Sequence, residues 1–515
     1  MIQIKDLTII HRKDLRTLIA DFQLVLKDGD KAVIIGEEGN GKSTLLQWIY
    51  NPERIAGYAD ASGVRILGEA KTAFLPQELE QEDRTKTVYE FFSEEEAFLL
   101  QTPGDLGRMA KDFGTEADFY YLNQRMETLS GGEKIKAQLM RILMGNPDVL
   151  LLDEPSNDVD LDTLRLLENL IRGWKKIVLF ISHDEALISH TANMVIHLEQ
   201  IRRKTLPRYT IKHLSYGEYV KSREDLFTAQ ERQALNERRE KQKRDAKYHR
   251  ILQGVSSAQN AGSRQDPHSA ALLKKKMHSV KSMGRRFEKL DADMTDIPDR
   301  EEAIGFRMDT GERIPEGKTV LDYSADELRS PDGEKILARN VRLLVRGPEK
   351  ICIIGKNGAG KTTLIRDIAG EFMKRSDLHA EYMPQNYEDG LDPEQTPVSY
   401  LASEGAREEE TRIRTYLGSL KFTPDEMDHP IGGLSGGQRA KLFLLKMSIS
   451  HADVLILDEP TRNLSPLSGP VIRKMLRKFG GAIISVSHDK RYIEEVCSRV
   501  VLLTENGLTD AELQK

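Results

Sequence analysis

Short apolar runs punctuate a mostly polar chain. KAVIIG (31–36), VLLLD (149–153) and IVLFIS (177–182) lie in the front half, and KICIIG (350–355), LILD (455–458) and AIISVS (482–487) in the back half. Each has the length of a buried strand and falls far short of the roughly 20 apolar residues that cross a bilayer. Helix-forming stretches separate the runs, which predicts an α/β chain. The middle reads differently. From Lys221 to Gln253 there is no Pro or Gly, and Glu, Arg, Lys, Gln and Ala dominate. This composition predicts one helix of about 50 Å at 1.5 Å per residue. GVSSAQNAGSRQDPHS (254–269) is rich in breakers and reads as a loop, with Arg264 and His268 among its polar members. A second helix is expected from about Ala270 to Ala292, with Leu273, Met277, Val280, Met283, Phe287 and Leu290 forming an apolar stripe. Together these predict an antiparallel helical hairpin with a polar tip.

The apolar runs carry a repeat. GEEGNGKST (36–44) and GKNGAGKTT (355–363) each follow a strand and open a helix. That context makes them P-loops: glycines let backbone N–H groups close around phosphates, and the helix N-terminus adds positive dipole. Gly36, Glu37, Gly39, Asn40, Gly41, Lys42, Ser43 and Thr44 are the expected phosphate-binding residues of the first copy. Gly355, Asn357, Gly358, Gly360, Lys361, Thr362 and Thr363 are those of the second. The lysines suit terminal phosphates, and the Ser43 and Thr362 hydroxyls suit magnesium. Gln77 and Gln385 follow in LPQ and MPQ, then LSGG at Leu129 and again at Leu434. LLLDEPSN and LILDEPTRN end strands with Asp153–Glu154 and Asp458–Glu459. The Asp of each pair suits the magnesium shell and the Glu suits activation of water. SHD then places His183 and His488 at strand ends, within reach of a γ-phosphate. Signature leucine to Glu is 25 residues in both copies, and Glu to His is 29 in both. Matched intervals of this kind point to duplication of a whole domain.

Charge changes the picture of the middle segment. The 515-residue chain carries a net −6, yet residues 221–290 hold 18 Lys+Arg against 8 Asp+Glu. Lys274, Lys275, Lys276, Arg285 and Arg286 are part of that excess. A concentrated basic hairpin on an otherwise acidic protein favours contact with a phosphate backbone over a solvated spacer. Without an RNA-recognition, KH or zinc-finger signature, shape and charge would carry such binding. Cys352 and Cys497 are the only cysteines, which argues against a zinc site or a disulfide framework. The N-terminal residues lack a signal-peptide apolar core, so a cytoplasmic protein is expected.

P-loop, glutamine, LSGG, DEP and SHD in this order resemble ATP-binding cassette nucleotide-binding domains. The resemblance implies two P-loop NTPase cassettes facing head to tail, each ATP lying between one P-loop and the other cassette's signature. Ser130, Gly131 and Gly132 would then serve the nucleotide held by Lys361, and Ser435, Gly436 and Gly437 the one held by Lys42. The family's D-loop aspartate is matched by Asp160 in the first copy and replaced by Ser465 in the second. The aromatic on which the family often stacks adenine is missing; only His11 and Arg329 stand near its place. The predicted domains are 1–205, a linker at 206–318 and 319–515.

Tandem cassettes with a basic helical linker resemble the F family of these proteins, ribosome-associated ATPases. That implies ATP and Mg2+ as ligands, a bacterial ribosome with its ribosomal RNA and peptidyl-tRNA as partner, and a monomer whose cassettes pair within one chain. Gln77 to Leu129 and Gln385 to Leu434 span 52 and 49 residues, leaving no room for a sizeable inserted arm, and only 27 residues follow His488. This compact form, with DEPTRNLSPLS, looks like the branch that protects ribosomes from peptidyl-transferase-centre antibiotics. A housekeeping translation factor, a transporter's motor subunit and a DNA-binding ATPase are the alternatives.

Overall fold

The computed structural model describes all residues except 158, 202–205, 262–266, 293, 296–313, 403–405, 463 and 512–515, and the side chains of 259–261, 267–270 and 292. Contacts divide the chain into two compact units: 1–216 with 301–515, and 217–300.

The first unit holds both cassettes. In the first, β1 (Ile2–His11), β2 (Thr17–Leu26), β3 (Lys31–Ile35), β4 (Ala59–Ile66), β5 (Thr72–Leu75), β6 (Val149–Asp153), β7 (Ile177–Ile181), β8 (Met194–Gln200) and β9 (Leu206–Lys212) make two sheets. The larger has the order β5-β6-β7-β3-β8-β9, parallel except for the β8–β9 pair, and β2-β1-β4 form an antiparallel sheet. The second cassette repeats the plan with β10 (Thr319–Arg329), β11 (Ile336–Arg346), β12 (Lys350–Ile354), β13 (Ala380–Met383), β14 (Val454–Asp458), β15 (Ala482–Val486), β16 (Arg499–Thr504) and β17 (Gly507–Ala511). Its large sheet, β13-β14-β15-β12-β16-β17, matches the first strand for strand, and among the described residues its antiparallel sheet consists of β10 and β11.

The apolar runs explain these sheets. β6, β7, β14 and β15 are buried at every position, as central parallel strands covered on both faces must be. The helix Lys42–Tyr50 buries Leu45, Leu46, Trp48 and Ile49 in a core shared by the two sheets of the first cassette. Each such aliphatic side chain contributes on the order of 1.5–3 kcal/mol. The matching helix Lys361–Phe372 does the same with Leu364, Ile365, Ile368 and Phe372. Burial in these cores fixes both P-loops at the carboxyl ends of β3 and β12.

The second unit is a pair of helices, Tyr216–Ala261 and Pro267–Ala292. The breaker-rich stretch expected to be a loop from Gly254 is helical to Ala261. One exposed glycine costs a long helix only about 1 kcal/mol, too little to end it. The pairing is antiparallel. Tyr248 meets Phe287 with ring centroids 5.9 Å apart, Arg244 lies over Phe287 at 4.6 Å, and Lys241 pairs with Asp291 at 2.9 Å. The buried stripe differs from the one expected. Met283 and Leu290 are exposed, and Gly284 and Asp291 face the partner helix instead. A Cβ at Gly284 would come within 2.6 Å of the Tyr248 hydroxyl, so the two helices approach closely there. Lys274, Lys275, Lys276, Arg285 and Arg286, the residues named for the basic excess, are all exposed on the second helix. Arg264 and the His268 side chain lie outside the described residues.

Candidate functional site

The two P-loops have nearly the same backbone. Gly39, Gly41, Gly358 and Gly360 have φ of 78, 87, 79 and 96°, the left-handed region that favours glycine. Gly36 is held by crowding as well: a Cβ there would come within 2.2 Å of the Leu198 carbonyl oxygen. Lys42 and Lys361 are buried and donate across the loop, to the Gly36 and Gly355 carbonyls at 2.9 Å in both cases. Asn40, expected among the phosphate contacts, spends its amide on the Leu198 carbonyl at 3.0 Å and so ties the loop to β8.

The strand-end carboxylates stand beside the P-loop hydroxyls. Ser43 donates to Asp153 at 3.0 Å. Burial and the adjacent Glu154 push Asp153 up to about 7, and burial pushes Asp458, beside Thr362, up to about 6. Both Asp458 oxygens and the His488 Nδ1 are buried without a hydrogen bond. Orphaned acceptors beside a P-loop hydroxyl suit a hard cation. Among the described residues no cluster of three or more His, Cys, Asp or Glu could cage a metal. The donor set therefore fits a magnesium ion whose remaining ligands are phosphate oxygens and water. Gln385 reaches Thr362 at 3.4 Å, but Gln77 is exposed and is not among the residues lining the first-site cavity.

Glu154 and Glu459 adopt φ of 50 and 55°, strained values for a non-glycine residue, repeated at the same place in both copies. Their surroundings differ. Burial pushes the Glu154 carboxyl up, but His183 outweighs it and holds Glu154 below its ordinary value; His183 Nε2 lies 3.0 Å from Glu154 Oε1. Burial and Asp458 push Glu459 up to about 8. Burial and Lys361 push His488 down to about 4, and its Nε2 stands 3.8 Å from Glu459. A carboxyl titrating near neutrality beside a neutral imidazole suits a general base.

The signatures face the opposite P-loops. Ser130 and Gly131 line a cavity of about 740 Å³ together with Lys361, Thr362, Thr363, Gln385, Asp458, Glu459 and His488. Ser435 and Gly437 line one of about 170 Å³ with Glu37 and Gly39. Both signature serines cap their helices, accepting from Glu133 N and Gln438 N at 3.3 Å, so any ligand there would meet mainly glycine N–H groups. Asp160 caps the helix Leu161–Gly173 through Thr163 N at 2.9 Å; burial lowers Lys361 of the second site below its ordinary value, and the charges of Glu459, Asp458 and Asp160 oppose that shift only in part. Ser465 lines the first-site cavity. His11 and Arg329 are turned to other partners, Asp14 and Glu327. The second cavity's walls include Ser330, Pro331, Lys335 and Leu337 in their stead.

Three links between the cassettes escaped the sequence. His183 Nδ1 donates to the Leu464 carbonyl at 2.6 Å. Glu185 pairs with Arg473 and Arg491, both at 2.7 Å. Lys441 pairs with Glu37 at 2.7 Å, and Gly437 N–H donates to Glu38. Only the last left a trace in sequence, because the two P-loops differ at those positions.

Comparison with known proteins agrees with this geometry. The ABC transporter family matches residues 19–157 and 338–462, together just over half of the chain. Ribosome protection protein VmlR of Bacillus subtilis is 28% identical over 96% of this chain and 85% of its own length. ATP-binding protein Uup of Escherichia coli is 26% identical over 95% of this chain and 78% of its own. ABC transporter F family member 5 of Arabidopsis thaliana is 25% identical over 96% and 74%. Among solved structures, archaeal ribosome recycling factor aABCE1, in complex with ribosomal stalk protein aP1, shares the fold. Its TM-score is 0.57 at 18% identity, covering 98% of this chain and 90% of that one.

Proposed function

Because the chain belongs to the ABC transporter family, matched once in each cassette, we propose that it is an F-type ATPase that works on the ribosome in the cytoplasm. The observation that carries this reading is the basic hairpin, +10 over residues 221–290, set in the sequence between two cassettes that build composite sites within one chain. Such charge serves a phosphate backbone. Among the described residues no helix is long and apolar enough to cross a membrane, which weighs against a transporter's own span. The full-length likeness to a ribosome protection protein supports the ribosome as partner.

ATP with Mg2+ supplies the phosphoanhydride bond to be broken. Lys42, Lys361 and the P-loop N–H groups would hold its phosphates; Ser43 with Asp153, and Thr362 with Asp458 and Gln385, would hold the metal. Glu459 would accept the proton of the attacking water in its ionised form, which the charge of Lys361 favours against burial and Asp458. Glu154 has the same place in the first site. Signature N–H groups close each site from across the interface. Nucleotide-driven closure favours binding of ribosomes that hold peptidyl-tRNA, contacted by the hairpin. Between β5 and the first signature there are only short helices, the longest Pro103–Asp112, so no arm projects there. That compactness, with the likeness to VmlR, favours protection against peptidyl-transferase-centre antibiotics over a housekeeping role.

The test is a pull-down from bacterial lysate with tagged protein carrying Glu154→Gln and Glu459→Gln. With ATP it should bring down ribosomes carrying tRNA, and without nucleotide it should not. Recovery of a membrane complex or DNA instead would overturn the ribosomal reading. Drug susceptibility of cells expressing the unaltered chain then tests protection.

A further inference from the structure

The two P-loops are not equivalent. Glu37 and Glu38 stand where the second copy has Lys356 and Asn357. In the first site the Glu38 carboxylate accepts a hydrogen bond from the N–H of Gly437, at the N-terminus of the signature helix Gly436–Ile449. One turn along that helix, Lys441 pairs with Glu37 at 2.7 Å, the two side chains being 11% and 17% exposed. Two neighbouring P-loop carboxylates thus grip one signature helix at two points. The second P-loop carries no carboxylate at these positions: Lys356 is cationic and Asn357 uncharged, and the cavity beside Ser130 and Gly131 is about 740 Å³ against 170 Å³.

The N–H groups at this helix start present positive charge, and an anion is their natural partner. On the composite-site reading proposed above, the anion meant for the signature is the terminal phosphate of a nucleoside triphosphate. A diphosphate lacks that group and is held by the P-loop alone. We propose that Glu38 is a built-in competitor for the γ-phosphate. The first site admits a triphosphate by exchanging the Glu38 carboxylate for the terminal phosphate at Gly437, whereas a diphosphate binds without this exchange. Glu38 thereby sets the triphosphate-to-diphosphate preference of the first site and makes it differ from the second. The ion pair of Glu37 with Lys441 keeps the helix in register while the exchange takes place.

The experiment uses the full chain carrying Lys361→Ala, which weakens the second P-loop and leaves the first to be read. Binding of radiolabelled ATP and ADP with Mg2+ is measured by equilibrium dialysis, for Glu38 as it stands, for Glu38→Gln and for Glu38→Asn, the residue of the second P-loop. Both variants should tighten ATP by about tenfold, the worth of one charge-assisted hydrogen bond, and change ADP less than about twofold. Unchanged ATP affinity in both variants would overturn the proposal. Equal tightening of ATP and ADP would also overturn it, since that is what removing any nearby negative charge produces. Failure of the chain with both P-loop lysines intact to bind ATP would instead refute the composite-site reading on which the proposal rests.

Discussion

Glu185 offers the sharpest test of how the cassettes are joined. Its side chain is 6% exposed and sits between Arg473, 2% exposed, and Arg491, 35% exposed, both from the other cassette. Gly469 leaves the space: a Cβ there would come within 2.8 Å of the Arg473 guanidinium. Replacing Glu185 by Gln keeps the shape and deletes the charge. Removing one partner of a buried ion pair costs about 3–5 kcal/mol, because the other charge stays buried. Arg473 retains Glu495 at 3.0 Å, whose side chain is 45% exposed, and Arg491 is partly solvated, so the lower end applies, about 3 kcal/mol. Hydrogen exchange of peptides covering 185–191 and 469–478 reads this directly, and their protection should fall by about 100-fold at ~1.4 kcal/mol per decade. Arg473→Met alone should lose a similar amount. The double variant should recover most of it, because two apolar or neutral groups leave no stranded charge. Protection changing by less than about threefold in Glu185→Gln, or a double variant as damaged as the two singles summed, would refute the reasoning.

Other outcomes follow from the sites. Without nucleotide, Asp153, Asp458 and Glu459 hold protons up to about 7, 6 and 8 in the folded chain, against about 4 in an unfolded one. Their contribution to stability is therefore full below about pH 4 and is lost as pH rises to about 8. The melting temperature should fall between pH 5.5 and 8, and Asp458→Asn with Glu459→Gln should flatten that slope in a thermal scan. Gly36→Ala should lose first-site nucleotide binding and about 2–3 kcal/mol of stability in thermal or urea melts, since its Cβ would meet the Leu198 carbonyl oxygen at 2.2 Å and its φ is 146°. Changing Lys274, Lys275 and Lys276 to Gln should leave ATPase rates unchanged. It should also reduce the salt dependence of ribosome association measured by co-sedimentation, by about one unit of slope for each phosphate that is no longer neutralised.

Much of this molecule is legible in its residues. Runs such as VLLLD announce central strands because both faces must be apolar, and the repeated P-loop, LSGG and DEP motifs locate the ends of those strands where the candidate site lies. The head-to-tail pairing comes from the family resemblance, and the cavities lined by Ser130 with Lys361 and by Ser435 with Glu37 agree with it. Local rules fail where an interaction depends on distant chain. Breaker content puts the end of the first hairpin helix at Gly254, because it is a local measure, whereas the helix is sustained along its length. Spacing alone puts Met283 in the apolar stripe, because it cannot see that Tyr248 needs the room a glycine gives at 284. Gln77 and Gln385 look alike in sequence, yet only Gln385 meets its P-loop threonine. The Glu185 cluster gives no local signal, since its charges come from residues about 300 positions apart.

The bond from His183 to the Leu464 carbonyl has a property that the ion pairs between the cassettes do not share. Its acceptor is main chain, and every residue type carries it. Substitution at Leu464 alters the packing there but cannot delete the oxygen, so the link is indifferent to the identity of one of its two partners. The histidine of one cassette thus senses where the other cassette's backbone runs rather than what is written on it. The two copies differ around that loop, with Ser465 where the first cassette has Asp160, and the mechanical connection does not depend on which residue stands there. On the Leu464 side, only a shift of the chain itself, by insertion, deletion or a proline that redirects the loop, can break it.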